Sequence, residues 1–195
     1  MRLPAAQRRR QLLDQALAVF AANGFHDTSM NQVAEAAGVT KPVLYQHFRS
    51  KRALYLELVD DVGTRIEEAI VKAVAQAGGP RGQVEAGFQA FCRFVVADRA
   101  AFDLLFAGGS WGADAEFRER VHQVEATLAE DIAALITVDG LSADRRRLLA
   151  YGIVGLTVAT CRQWMARDSD LDPDVLAPQL AELVWAGLRG IRSDG

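Results

Sequence analysis

The chain has 195 residues, half of them hydrophobic, and a formal net charge of −3. That length allows one sizeable core or a small domain joined to a larger one, and that hydrophobicity excludes disorder away from the termini. No apolar run approaches the roughly 18 to 20 residues that span a bilayer, and Met1-Arg2-Leu3-Pro4 leads into charged residues without an apolar signal core, so the sequence reads as cytoplasmic.

Helical periodicity dominates, with no strand-like alternation of useful length, no internal repeat and no low-complexity tract. The spacing predicts a first helix over about residues 6–23, with Leu13, Leu17 and Phe20 on one face. Met30, Val33, Ala34 and Ala37 recur at i, i+3, i+4, i+7 and predict a short second helix, capped by Thr28 or Ser29. Gly38 follows, where the chain turns through positive φ at little steric cost, and Val39 folds back onto the core. Thr40 caps a third helix, with Pro42 in its first turn, where a missing N–H does no harm. Val43, Leu44 and Phe48 then face inward, leaving Thr40, Lys41, Tyr45 and His47 outside. A cation, a phenol and an imidazole on one exposed helix face suit phosphates and base edges.

Ser50 caps a long fourth helix from Lys51 to about Ala77, stopped by Gly78-Gly79-Pro80. Further helices are expected at about 82–96, 100–106, 114–136, 142–167 and 172–192, the last opened by Asp172 as N-cap and Pro173 in the first turn. A glycine-rich loop at 108–112 breaks the chain between the sixth and seventh, as a gate or only as a helix breaker. The expected fold is all-α.

Charge is unevenly spread. Residues 1–55 hold eight basic and three acidic groups, net +5, and residues 56–195 are net −8. A basic head on an acidic body attracts phosphate at one end only. Arg8, Arg9 and Arg10 precede or open the first helix and suit a phosphate or minor-groove arm, or form a solvated run. Cys92 and Cys161 lie in helical segments without metal-ligand spacing, which favours inert burial over redox sensing.

Enzyme readings fail on inventory. Glu119 and His122 form one Glu-x-x-His pair, but a di-iron site needs a second pair and more carboxylates. Residues 168–172 mimic a calcium loop, yet Pro173 stands where the turn glycine belongs and Gln179 where the bidentate Glu belongs. No glycine-rich phosphate loop with a following Lys-Ser/Thr is present. No cofactor and no metal are expected.

The segment from about Arg9 to Leu54 resembles the DNA-binding domain of the TetR family of bacterial transcriptional regulators. The residues that carry the likeness are Phe20, Gly24-Phe25, Thr28-Ser29-Met30, Val33-Ala34, Ala37-Gly38-Val39 and the run from Leu44 to Lys51. The resemblance implies a helix-turn-helix domain over 1–50 and an effector-binding and dimerisation domain over 51–195, nine helices in all. Positions matching Thr40, Lys41, Pro42, Tyr45, His47 and Lys51 commonly meet DNA in the family. Thr28 and Ser29, at a helix start, can donate to phosphate beside free backbone N–H groups. The rival roles are half-buried packing for Tyr45 and a solvated surface imidazole for His47.

Six of nine phenylalanines fall between residues 88 and 117, and core packing suffices for most of them. The resemblance also implies an inducer pocket among helices 5 to 8. The candidates for it are Phe88, Phe91, Cys92 and Phe102, with Phe106, Trp111, His122 and Trp164; Arg93, Arg162 and Gln163 are possible polar members. So many rings, and the acidic body, point to an apolar effector rather than an anionic one unless a local arginine reverses it. Helix 8 carries Gly152, Gly155 and Ala159, and helix 9 carries Leu176, Leu180, Leu183, Val184, Gly187 and Ile191. These either cover their own core or, as the resemblance implies, pair with their copies in a homodimer. The expected function is a ligand-responsive repressor released from a palindromic operator. The alternatives are a ligand-independent DNA-binding regulator or activator, and a small-molecule enzyme or carrier on the same fold.

Overall fold

The computed structural model describes residues 4–106, 114–138, 140–167 and 172–191. Among them are nine α-helices and no strand: α1 (Ala5–Asp27), α2 (Met30–Ala36), α3 (Lys41–His47), α4 (Lys51–Ala75), α5 (Gly79–Ala97), α6 (Arg99–Phe106), α7 (Ala115–Leu135), α8 (Ala143–Ala166) and α9 (Pro173–Gly190). No helix among the described residues is long and apolar enough to cross a membrane. The expected boundaries hold to within a few residues. α5 starts at Gly79 rather than near 82 because Gly79 takes φ +71 and turns the chain directly into Pro80. α1 runs on to Asp27, but Gly24, at φ 76, kinks it where the sequence predicts the helix to end.

The chain packs as two compact units, each discontinuous in sequence. One is Met1–Gly63 with Arg99–Val121; the other is Thr64–Asp98 with His122–Gly195. This differs from the expected split at residue 50, and the aromatic side chains explain why. Phe117 of α7 sets its ring 4.7 Å from both Phe25 and Tyr55, and α6 packs against α1. The first unit therefore takes its core from both stretches: Leu12 and Phe20 of α1, Leu44 of α3, Tyr55 of α4, Phe102 of α6 and Phe117 are all essentially inaccessible.

In the second unit α5 and α9 run antiparallel. Arg81 at the start of α5 meets Glu182 at 2.9 Å, and Arg93 near its end meets Asp174 at the start of α9 at 3.0 Å. Such exposed pairs add little stability, but they mark the register. Between them Phe88, Phe91, Cys92 and Val95 of α5 are buried, as are Leu176, Leu180 and Val184 of α9.

Candidate nucleic-acid interface and ligand cavity

The helix-turn-helix is built by local backbone chemistry. Ser29 forms a capping box with Gln32: the Gln32 N–H donates to the Ser29 hydroxyl oxygen at 3.3 Å, and the Ser29 N–H donates to Gln32 Oε1 at 2.8 Å. At the other end of α2, the Gly38 N–H donates to the Glu35 carbonyl at 3.0 Å and the Val39 N–H to Ala34 at 2.9 Å. This pair is a Schellman closure, and it requires the φ of +64 that Gly38 adopts. The sharp turn sets α3 with Leu44 buried and Thr40, Lys41, Pro42 and Tyr45 exposed, Tyr45 by 43%.

The expected DNA-facing residues therefore separate into groups. Thr40, Lys41, Pro42 and Tyr45 share the outer side of α3, and no hydrogen bond or ion pair among the described residues occupies the Lys41 ammonium. His47 is half-buried, with its ring 6.3 Å from that of Phe48. Ser29 is exposed, but its hydroxyl serves the cap. Thr28 is 2% exposed and its hydroxyl donates to the Gly24 carbonyl at 2.7 Å, so it stabilises the α1–α2 corner. Lys51 is also turned inward: its Nζ donates to the carbonyls of Phe25, His26 and Thr28 at 2.7, 3.1 and 2.7 Å and lies over the Phe25 ring. The sequence alone places this cation on the DNA backbone; in the fold it closes the kinked end of α1.

The arginine arm has a similar fate. Arg9 makes a forked bond to the Glu57 carboxylate at 2.8 and 2.5 Å and donates to the His47 carbonyl at 2.9 Å, with its guanidinium 4.6 Å over the Phe48 ring. Arg10 pairs with Asp14 and with Asp61, one turn beyond Glu57. Arg52 pairs with Asp114 and Glu116, and the bond from Arg52 holds the half-buried Asp114 carboxyl below its usual range. Counted over the folded unit, eleven basic residues face ten acidic ones, so the +5 of the first 55 residues shrinks to +1. What remains is local. Lys41 and Arg49 are exposed cations without a hydrogen bond or ion pair among the described residues, and Gln46 is exposed between them. Arg49 and Gln46 escape the sequence reading, although both sit in the run that carries the family likeness.

The second unit holds a half-open cavity of about 440 Å³. Ile70 and Val74 of α4, Phe88 and Phe91 of α5, and Leu128 and Ile132 of α7 form part of its wall. Ile153, Val154, Thr157 and Val158 of α8, and Val184, Trp185, Leu188 and Arg189 of α9, contribute more. The Thr157 hydroxyl is already bonded to the Ile153 carbonyl at 2.7 Å, so it presents little polarity.

Of the eight expected pocket residues, Phe88 and Phe91 line this cavity. Phe102 and Phe106 are buried in the first unit, because α6 packs on α1. Trp111 and the loop 108–112 lie outside the described residues. His122 is exposed on α7, 3.1 Å from Glu125, and Trp164 is buried without reaching the cavity wall. Arg93 is held by Asp174, and Arg162 and Gln163 are exposed and away from the wall. Cys92 and Cys161 are free, buried and close enough to influence one another: the neighbouring Cys92 and then burial push the Cys161 thiol up, while Cys161 pulls that of Cys92 down. Sequence spacing gives no hint of this pairing, since the two lie on different helices.

A turn-linked helix pair with an open polar face, joined to a helical unit with an apolar cavity, defines a ligand-binding class of DNA-binding protein. Comparison with known proteins agrees. Residues 12–58 match the family model described as bacterial regulatory proteins, tetR family, and residues 80–187 match the tetracyclin repressor-like C-terminal domain. The chain is 32% identical over 188 residues to the HTH-type transcriptional activator FasR of Mycolicibacterium smegmatis, covering 96% of this chain and 85% of that protein. The structure of a TetR-like transcriptional regulator from Rhodococcus sp. RHA1 superposes with a TM-score of 0.78 at 31% identity, covering 97% of this chain and all of that one. FadR of Bacillus subtilis, solved in complex with stearoyl-CoA, shares the fold with a TM-score of 0.76 at 18% identity over 94% of this chain and 99% of that one. The chain belongs to the TetR family and is a DNA-binding transcriptional regulator.

Proposed function

We propose that this regulator is a homodimeric, cytoplasmic repressor that leaves a palindromic operator when an acyl chain fills the second unit's cavity. The observation that carries the reading is the cavity itself: about 440 Å³, walled mostly by aliphatic and aromatic side chains, in a chain whose other unit bears an open recognition helix. The complex of Bacillus subtilis FadR, a protein of the same fold, with stearoyl-CoA supports a long acyl group as the apolar occupant. α4 supplies the route for a signal. Ile70 and Val74 stand in the cavity wall, while Tyr55 and Leu58 of the same helix belong to the core of the DNA-binding unit. A coupling of roughly 1–3 kcal/mol, about 5- to 150-fold in affinity, is enough for a switch.

Lys41, Tyr45, Gln46 and Arg49 are the side chains proposed to meet DNA, with Thr40 and Pro42 setting the helix start. Duplexes selected from a random pool should share a palindrome, because a dimer carries two recognition helices about one turn, roughly 34 Å, apart. Lys41→Ala should weaken binding to the selected duplex by about 1–3 kcal/mol in fluorescence anisotropy. Enrichment of no sequence by the wild type would end the DNA-reader reading. Saturating acyl ligand that leaves the complex intact would end the switch.

The proposed dimer face lies on α8 and α9. Leu148, Tyr151 and Leu183 are exposed by 72, 41 and 59%, and a Cβ added at Gly152, Gly155 or Gly187 would meet nothing. Leu176, Leu180 and Val184, which the sequence groups with this face, are buried in their own protomer, so they fall outside it. Gly155→Leu is expected to raise the monomer fraction in sedimentation; an unchanged dimer would move the interface elsewhere. A second reading, activation, is favoured by the Mycolicibacterium smegmatis relative, which is named a transcriptional activator. A promoter fusion in cells with and without the protein decides the sign.

A further inference from the structure

The cavity is not uniformly apolar. Among the described residues, Arg189 is the one charged member of its wall, and no hydrogen bond or ion pair engages its guanidinium. Glu85 of α5 and Glu182 of α9 are both taken by Arg81, at 2.9 Å each. The other polar members lie mostly towards the same end. Gln83 belongs to the second turn of α5, Thr137 follows the end of α7, and Trp185 stands one turn before Arg189 on α9. The register fixed by Arg81 and Glu182 brings the start of α5 beside the second half of α9. Further along α5, Phe88 and Phe91 give the cavity a wholly apolar wall.

We infer that Arg189 selects an anionic head group, so that the effector is an anionic amphiphile whose apolar chain runs from Arg189 towards Phe88 and Phe91. The inference rests on the acyl-chain reading and adds to it a charge requirement and a polarity. The physical argument is one of mismatch. A purely apolar ligand would lay its end against an exposed guanidinium and two amide or indole donors, stripping water from them without replacing its hydrogen bonds. A carboxylate or phosphate replaces those bonds with charge-assisted ones, and a guanidinium holds either through two parallel N–H donors. The acidic balance of the chain, which argues against an anionic ligand, is overruled by this one local cation. Arg93 and Arg162, the arginines that the sequence suggests for that role, lie off the wall.

The test compares dodecanoate, dodecanol and dodecanoyl-CoA by calorimetric titration of the full chain, as wild type, Arg189→Gln and Arg189→Lys. The wild type should bind dodecanoate or the thioester about tenfold more tightly than the alcohol, the size of one charge-assisted pair at a partly exposed site. Arg189→Gln should erase that preference by lowering affinity for the anionic ligands, and Arg189→Lys should restore part of it. Loss for dodecanoate alone assigns a free carboxylate; loss for the thioester alone assigns the phosphates of its carrier. Either supports the role of Arg189. Equal binding of all three ligands by the wild type, or a preference that survives Arg189→Gln, overturns the inference and leaves the acyl-chain reading standing. Binding of none of them removes both.

Discussion

Replacing Tyr55 by alanine is expected to destabilise the protein by about 3–5 kcal/mol, the range for truncating a large buried aromatic. Tyr55 is fully buried, with Phe20 and Phe25 at 5.1 Å in edge-to-face geometry and Phe117 at 4.7 Å. Truncation leaves a hole among three rings that cannot close over it without moving α1, α4 and α7 together. Urea unfolding followed by circular dichroism measures the loss. Tyr45→Ala is the control: that ring is 43% exposed, so stability should stay within about 0.5 kcal/mol while operator affinity falls. A Tyr55→Ala loss of under about 1 kcal/mol would mean that the aromatic cluster does not hold the first unit together.

Lys51→Ala should cost about 2–3 kcal/mol, because three carbonyls lose a charged donor and only solvent can replace it. The comparison with Lys41→Ala separates two meanings of a basic residue beside DNA. Lys41→Ala should lower operator affinity at an unchanged melting temperature. Lys51→Ala should lower the melting temperature first, and affinity only as the α1–α2 corner loosens. Should Lys51→Ala weaken DNA binding at full stability, its ammonium would be a phosphate contact after all, and the three carbonyls incidental.

These two lysines show what the sequence can and cannot say. Local rules are legible: the capping box at Ser29, the glycine closure at Gly38, and Pro42 and Pro173 in first turns each fix a helix end within a few residues of the chain, and the structure keeps them. Tertiary partners are not. Arg9, Arg10, Lys51 and Arg52 read as a positive head because their acidic partners, Glu57, Asp61 and Asp114, or their carbonyls lie far along the chain or on the backbone. The phenylalanines mislead for the same reason. Phe88 and Phe106 share composition and neighbourhood, but α5 packs on α9 and α6 packs on α1, so one lines a cavity and the other fills a core. Arg189 carries one faint signal, its i+4 spacing from Trp185 on α9. The approach of Cys92 to Cys161 carries none.

The division of the first unit between two stretches of chain bears on how the protein is made. As the polypeptide emerges in order, its helix-turn-helix and the first part of α4 are complete by residue 63, but Phe25 and Tyr55 wait for Phe117. α5, which belongs to the other unit, is synthesised in the interval. The recognition helix is thus finished well before the core behind it. A fragment cut where the family's N-terminal match stops, at residue 58, would carry every proposed DNA contact and still leave two aromatic rings facing water.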